Sequence, residues 1–205
     1  MALTRQDWID AAKTAFEEGG PDKISISELA RTLKASRGSF YWHFSDHSDL
    51  LEAVLEAWEW ELTDAQLAET AHEVDPRARL TRMLEAGFTN PEVPTVDVVM
   101  AMHADHATIG PVVRRITQKR ISALAAVLRE LGFEDSAEDR ALVAYSSFLG
   151  WLHLRHIDPD LGGDRSAVIA RMVDAMVAGF DDSASSRASG RATSEPSTEA
   201  RTLQS

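Results

Sequence analysis

Apolar residues recur along this chain at intervals of three and four, the period of a helix face and not of a strand. Trp8, Ile9, Ala12, Ala15 and Phe16 make one stripe, and Leu50, Leu51, Val54, Leu55, Trp58 and Leu62 make a longer one. No run alternates as a half-buried strand does, so the pattern predicts an all-α chain. Breakers divide it at Gly19-Gly20-Pro21, Asp75-Pro76, Asn90-Pro91, Gly110-Pro111, Gly132 to Ser136 and Asp158 to Asp164. About nine helices follow, over residues 4–18, 26–33, 37–43, 47–71, 76–89, 95–107, 111–131, 137–157 and 165–180.

After Phe180 large apolar residues almost vanish from "DDSASSRASGRATSEPSTEARTLQS". Such a segment cannot bury enough surface to offset its ordering entropy, so 181–205 is expected to be a disordered tail. The remaining residues are enough for one large helical domain or two smaller ones sharing a core. The complete absence of cysteine excludes disulfides, thiolate zinc sites and cysteine nucleophiles. Acidic residues interrupt the apolar pattern of "MALTRQDWIDAAKTAF", which therefore reads neither as a signal peptide nor as a membrane span. A cytoplasmic protein with no membrane contact is the expectation.

A formal net charge of -12 argues against a general polyanion binder, but the charge is unevenly spread. Between Lys23 and Phe44, Lys23, Arg31, Lys34 and Arg37 face only Glu28, a local net of +3. The same stretch has the form of two short helices joined by a tight turn. Ser25-Ile26-Ser27-Glu28 matches a capping box, with the Ser25 hydroxyl accepting from the Glu28 amide and the carboxylate returning to the Ser25 amide. Ser36 is placed to cap the second helix. Phe40 and Phe44 are four apart and turn inward with Leu29 and Leu33, which leaves Arg37, Ser39, Tyr41, Trp42 and His43 outward. Donors and flat rings grouped in this way suit phosphate oxygens and base edges in a major groove. Spacing alone equally allows an ordinary capped helical hairpin whose aromatics cover a core.

The stretch "ISISELARTLKASRGSFYWHFSDHSDLLEAV" resembles the DNA-binding region of the tetracycline-repressor (TetR) family of transcriptional regulators. The matching features are the "SISELA" helix start, "SRGSFYWHF" as recognition helix, and "SDHSDLL" opening a long fourth helix. The motifs cover about residues 5–60, and only length and helix number extend the likeness to 180. The resemblance implies a helix-turn-helix domain over 1–46 and a larger helical ligand-binding and dimerisation domain over 47–180. It also implies that Ser39, Tyr41, Trp42 and His43 meet DNA, that Arg37 and Gly38 bring the helix start to the backbone, and that Ser27 reads from the preceding helix. The capping serines Ser25 and Ser36 belong to the same candidate surface. Two positions depart from the family pattern. Lys34 stands where glycine is usual, which requires a left-handed lysine or a different turn and offers a phosphate contact. His47 replaces the usual phosphate-gripping lysine, and a neutral imidazole there contributes a hydrogen bond with less charge.

The remainder is less specific. Val168, Ile169, Met172, Val173, Met176, Val177 and Phe180 form a continuous stripe on the last helix, and helix 137–157 has two apolar faces. Both stripes could be intrachain core, and the resemblance favours a two-fold homodimer built from these two helices. Phe88, Met100, His103, Ile116, Tyr145 and Phe148 are the candidate lining of a small-molecule cavity, each with a place in an ordinary core as its alternative. The net acidity favours neutral or cationic effectors. The pairs His103/His106 and His153/His156 have i, i+3 spacing but no clear third ligand, so no metal or other cofactor is expected. A DNA-binding regulator, most simply a repressor released from a palindromic operator by an effector, is the leading reading. An all-helical enzyme is its competitor, without a Gly-rich phosphate loop, nucleophile elbow or paired E-x-x-H, and an interaction module without DNA binding is the third.

Overall fold

A computed structural model describes residues 3–89, 93–158, 160, 161 and 163–178. Phe180 and the expected tail, 181–205, lie outside the described residues. The chain is all-α, with no strand among the described residues.

Helix α1 (Arg5–Gly19) begins at a capping box not on Ser25 but on Thr4, whose hydroxyl accepts from the Asp7 amide at 3.3 Å. In return the Thr4 amide and hydroxyl each donate to the Asp7 carboxylate at 2.7 Å. These bonds, that from the backbone amide foremost, hold the Asp7 carboxyl below its ordinary range. Trp8, Ile9, Ala12 and Phe16 are buried on one face. The helix ends at Gly20, whose φ of 81° is open to glycine at little cost and whose amide donates to the Phe16 carbonyl at 2.6 Å. A 3-10 turn, Pro21–Lys23, leads into α2 (Ile26–Thr32) and α3 (Arg37–Phe40). Ser25 precedes α2 in extended backbone but makes no side-chain capping bond, so the capping box expected there does not form. The short α3 continues only as a turn through Tyr41–His43, in place of the expected helix to 43.

The long helix expected over 47–71 is a rod with an irregularity. Helix α4 (His47–Glu59) is capped by Asp46, which accepts from the Asp49 amide at 3.0 Å, and it passes through a π turn (Trp60–Asp64) into α5 (Ala65–Thr70). Five further helices follow: α6 (Pro76–Thr89), α7 (Val93–Met102), α8 (Ile109–Glu130), α9 (Ala137–Ile157) and α10 (Arg165–Val177). Helices α8 and α9 share the most extensive packing, α1 lies on α4 and α7, and α6 lies on α8 and α10. One continuous apolar core runs from Trp8 to Met176. Gly87 allows α6 to close on α9, because a Cβ there would come within 3.0 Å of the Phe148 ring.

In α10, Ile169, Val173 and Met176 are buried against the chain's own core, whereas Val168, Met172 and Val177 are only partly covered. The stripe on this helix is therefore divided between self-packing and an open edge. Helix α9 divides likewise. Ala141, Ala144, Tyr145, Phe148, Trp151 and Leu152 are buried, while Leu142, Val143 and Leu149 are exposed.

Glu59 lies on the buried side of α4. Arg115 of α8 donates to both its oxygens through Nε, at 2.9 and 3.0 Å, and through Nη2. Lys119 adds an ion pair at 2.7 Å and also grips Asp64 of the π turn at 2.9 Å. The hydrogen bonds from Arg115, opposed by burial and reinforced by Lys119, lower the Glu59 carboxyl from an ordinary value of 4.5 to about 2. A depressed folded-state value means that this stabilisation is present above the unfolded value and is lost as pH falls from about 4.5 towards 2. Glu59→Gln should cost about 1–2 kcal/mol at neutral pH, since the cationic partners are partly solvated. In melting curves between those pH values the variant should lose less stability than the wild type.

Candidate nucleic-acid interface and internal cleft

Phe40 and Phe44 are fully buried and stack at 5.4 Å between ring centroids. The Trp8 ring meets Phe40 edge-on at 5.4 Å, and the Arg5 guanidinium lies 4.7 Å over Phe44. These contacts fix α3 from beneath with aromatic burial and favourable edge geometry. The outer side of α3 and of the turn that follows it is open, with Tyr41 59% and Trp42 88% exposed, and Arg37 and Gly38 exposed beside them. Ser36 caps α3 by accepting from the Ser39 amide at 3.1 Å. Arg37 donates to the Ser27 hydroxyl at 2.5 Å, which ties α2 to α3 across the turn.

Lys34 adopts the left-handed conformation, φ 53°, and is exposed. The reversal is closed by bonds from the Lys34 amide to the Arg31 carbonyl at 3.2 Å and from the Ala35 amide to the Ala30 carbonyl at 2.8 Å.

The two histidines sit differently from open phosphate donors. The Nε2 of His43 is 3.2 Å from the Leu3 carbonyl and that of His47 is 3.0 Å from the Ile24 carbonyl, and both side chains are half-buried. A ring nitrogen facing a carbonyl oxygen bonds only as the N–H donor, so each histidine pins a preceding segment of chain. Ser25 is half-buried at the start of α2, with Ser27 exposed beyond it.

The larger half contains a cleft with about 60 Å³ of free volume, lined by the π turn and α5 and by α6, α8 and α9. Tyr145 and Phe148 line it, whereas Phe88 stands behind, with its ring 5.0 Å from Phe148 and 4.4 Å from Trp151. Met100 and Ile116 are buried outside the lining. His103 is elsewhere, at the end of α7 against Gly20, and its Nδ1 lies 2.9 Å from the Val99 carbonyl. Sequence reasoning missed Arg120, Thr63 and Asp97. Arg120 donates through Nε to the Thr63 hydroxyl at 3.1 Å, through Nη1 to Asp97 at 2.7 Å, and through Nη2 to the Leu62 carbonyl at 3.1 Å. Burial works against its charge, but the adjacent Asp97 carboxylate prevails and holds the guanidinium above its ordinary value. A signal for it exists, since Arg120 interrupts the apolar stripe Ile116–Leu124 at four-residue spacing. No group of three or more potential metal ligands occurs among the described residues, and no described helix is long and apolar enough to cross a membrane.

This arrangement is that of an all-α helix-turn-helix protein with a second helical layer enclosing a cleft. Residues 9–54 match the model of the bacterial regulatory proteins of the tetR family. Among curated relatives, the HTH-type transcriptional regulator AcrR of Shigella flexneri is 36% identical over 66 residues, 32% of this chain and 28% of the relative. TtgR of Pseudomonas putida, also an HTH-type transcriptional regulator, is 32% identical over 83 residues, 40% of this chain and 39% of the relative. These matches span well under half of the relatives' own lengths. Similarity of fold extends further. A transcriptional regulator from Rhodococcus sp. Rha1 superposes with a TM-score of 0.70 at 19% identity, over 85% of this chain and 94% of that one. The regulator FadR of Bacillus subtilis, solved in complex with stearoyl-CoA, gives 0.67 at 13% identity, over 86% and 100%.

Relief of the left-handed strain at Lys34 should make Lys34→Gly neutral to stabilising by up to about 1 kcal/mol. Phe40→Ala should cost about 3–5 kcal/mol. Thermal melts of the two variants test this reading of the turn and its core, and a large destabilisation by Lys34→Gly would contradict it.

Proposed function

We propose that the chain is a dimeric transcriptional regulator that grips a palindromic operator with α2 and α3 and releases it when a small molecule occupies the cleft. Residues 1–46 are the DNA-binding unit in this reading, and 47–180 bind the effector and the second subunit. The observation that carries it is the exposure of Tyr41 and Trp42 on an element whose other aromatics, Phe40 and Phe44, already fill the core. Large rings left in solvent on the same short stretch as Arg37 and Lys34 serve a polyanion with flat bases far better than they serve folding. Ser27, Ser36, Gly38 and Ser39 extend this surface, and His43 and His47 orient it through the chain segments they pin.

Release follows from the path of the α4–α5 rod. It starts at Asp46, next to the DNA-binding unit, and its π turn and α5 supply Leu62, Thr63, Gln66, Leu67 and Thr70 to the cleft wall. A ligand preferring one tilt of this rod changes the spacing of two recognition helices, and a differential affinity of about 1–3 kcal/mol suffices. The second subunit covers the open edge formed by Leu142, Val143 and Leu149 of α9 with Val168 and Met172 of α10. Curated relatives that are transcriptional regulators, and the match of 9–54 to their family, support the DNA-binding part.

Tyr41→Ala should weaken operator binding by about 1–3 kcal/mol with little change in melting temperature. A large fall in melting temperature would place Tyr41 in the fold instead. Val143→Glu, on the exposed face of α9, should yield monomers in sedimentation and abolish tight operator binding, because a single subunit reads one half-site. An unchanged dimer mass would remove α9 from the interface.

A further inference from the structure

Arg120 is the one ionised side chain among the described residues lining the cleft. Its guanidinium cannot lose its proton, so the cavity wall carries a permanent positive charge despite the acidic chain around it. The charge is answered from α7 by Asp97, which lies 2.7 Å away and does not itself line the cleft. Both side chains are nearly buried, at 12% and 10% exposure. Next to this pair the wall offers the Tyr145 hydroxyl, 3.4 Å from Arg120 Nη1, and Gln66 and Thr70 are further polar residues of the lining. The other lining groups are chiefly apolar, among them Leu67, Met83, Leu84, Leu124 and Phe148.

We propose that the cleft takes an amphiphile with an apolar body and one carboxylate head, and that this head takes the place of Asp97 on Arg120. The proposal rests on the cleft being the effector site of the regulator described above. A buried guanidinium needs an anionic partner, and removing that partner is costly. A ligand carboxylate is the same chemical group as Asp97, so the exchange keeps the cation paired, and the displaced Asp97, 10% exposed here, turns to solvent as the helices separate. A neutral head would leave the Arg120–Asp97 pair unused, and a cationic head would meet the guanidinium with its counter-ion on the far side. The charge of the wall thus reverses the preference that the chain's net charge suggests.

The exchange is also mechanically consequential. Asp97 belongs to α7, and just past the end of that helix His103 lies so close to Gly20 that a Cβ there would collide with the imidazole. The same imidazole is 6.4 Å from the Phe16 ring of α1. Releasing Asp97 loosens the middle of α7 from α8, on a helix whose C-terminal end abuts the DNA-binding unit. The cleft's present free volume of about 60 Å³ holds only a few waters, so entry of an amphiphile requires the surrounding helices to separate. Met83, unbranched and adaptable, is the side chain of the wall best suited to yield.

The test is calorimetric titration of the full-length protein with decanoate, decanol and decyltrimethylammonium, each kept below micelle formation. The expected result is decanoate binding at least tenfold tighter than either of the others. Asp97→Asn, used where its melting curve shows it folded, removes the competing carboxylate and should tighten decanoate several-fold, where a purely structural ion pair would give weaker binding. Arg120→Gln alone strands Asp97 and risks the fold, so the charge is removed in the double variant Arg120→Gln/Asp97→Asn, checked by its melting curve. That variant should lose the decanoate preference and keep its decanol affinity. Equal binding of the three probes, preference for the cation, weakening by Asp97→Asn or no binding at all would overturn the proposal. A parallel titration with an operator duplex separates the two claims: decanoate that binds as expected and leaves operator affinity unchanged refutes the effector role of the cleft while the head-group chemistry stands.

Discussion

Burial of the rod formed by α4, the π turn and α5 constrains everything else in this molecule. Its first half is enclosed by apolar contacts, with Leu50, Leu51, Val54, Leu55 and Trp58 all almost without solvent exposure and Trp58 meeting Phe16 of α1 at 4.9 Å. At its midpoint apolar packing gives way to the Glu59, Arg115 and Lys119 cluster that binds it to α8. At its start His47 holds the Ile24 carbonyl, so the loop before α2 is attached to the same helix. The α2–α3 unit therefore cannot shift without the rod, and the rod cannot tilt without disturbing α8. Interiors packed at this density transmit displacement because they have no slack to absorb it.

Charge follows the same division of labour. Carboxylates dominate the chain as a whole, yet the exposed edge around α3 carries Lys34 and Arg37, and Arg115, Lys119 and Arg120 of α8 reach Glu59, Asp64 and Asp97. An acidic protein can present a basic reading surface because fields from exposed groups are screened beyond about 10 Å at ordinary ionic strength. The Arg120–Asp97 pair acts where screening is weak, Arg115 and Lys119 grip Glu59 and Asp64 from partly solvated positions, and together they fix helices to one another.

Much of the helical order is legible in the sequence because three- and four-residue spacing and Gly/Pro breakers are local properties. The stripe from Trp8 to Phe16 and the inward turn of Phe40 and Phe44 are examples. The π turn escapes such a reading, although the step of five residues from Leu62 to Leu67 marks the inserted position. Ser25 illustrates the converse, a local signature whose bond does not form, while the less prominent Thr4–Asp7 pair makes it. The anchoring of His43 and His47 and the pairing of Arg120 with Asp97 involve partners 40, 23 and 23 residues away, which no local pattern encodes. Division of the α9 and α10 stripes between self and neighbour has the same character, since spacing reports that a face is apolar and not what covers it. The unexpected position of His103 against Gly20 reflects a glycine whose missing side chain makes room for it.

If the exposed side of α3 reads duplex DNA in pairs, the full-length protein must be able to select its own operator. Repeated selection of bound duplexes from a randomised pool, followed by footprinting of the winners, tests this without an operator having been identified. The expected outcome is an inverted repeat whose two half-sites are separated by about one helical turn or a multiple of it, both protected on the major-groove side. Failure to enrich any sequence, with retained DNA showing no protected half-sites, would contradict paired reading by α3.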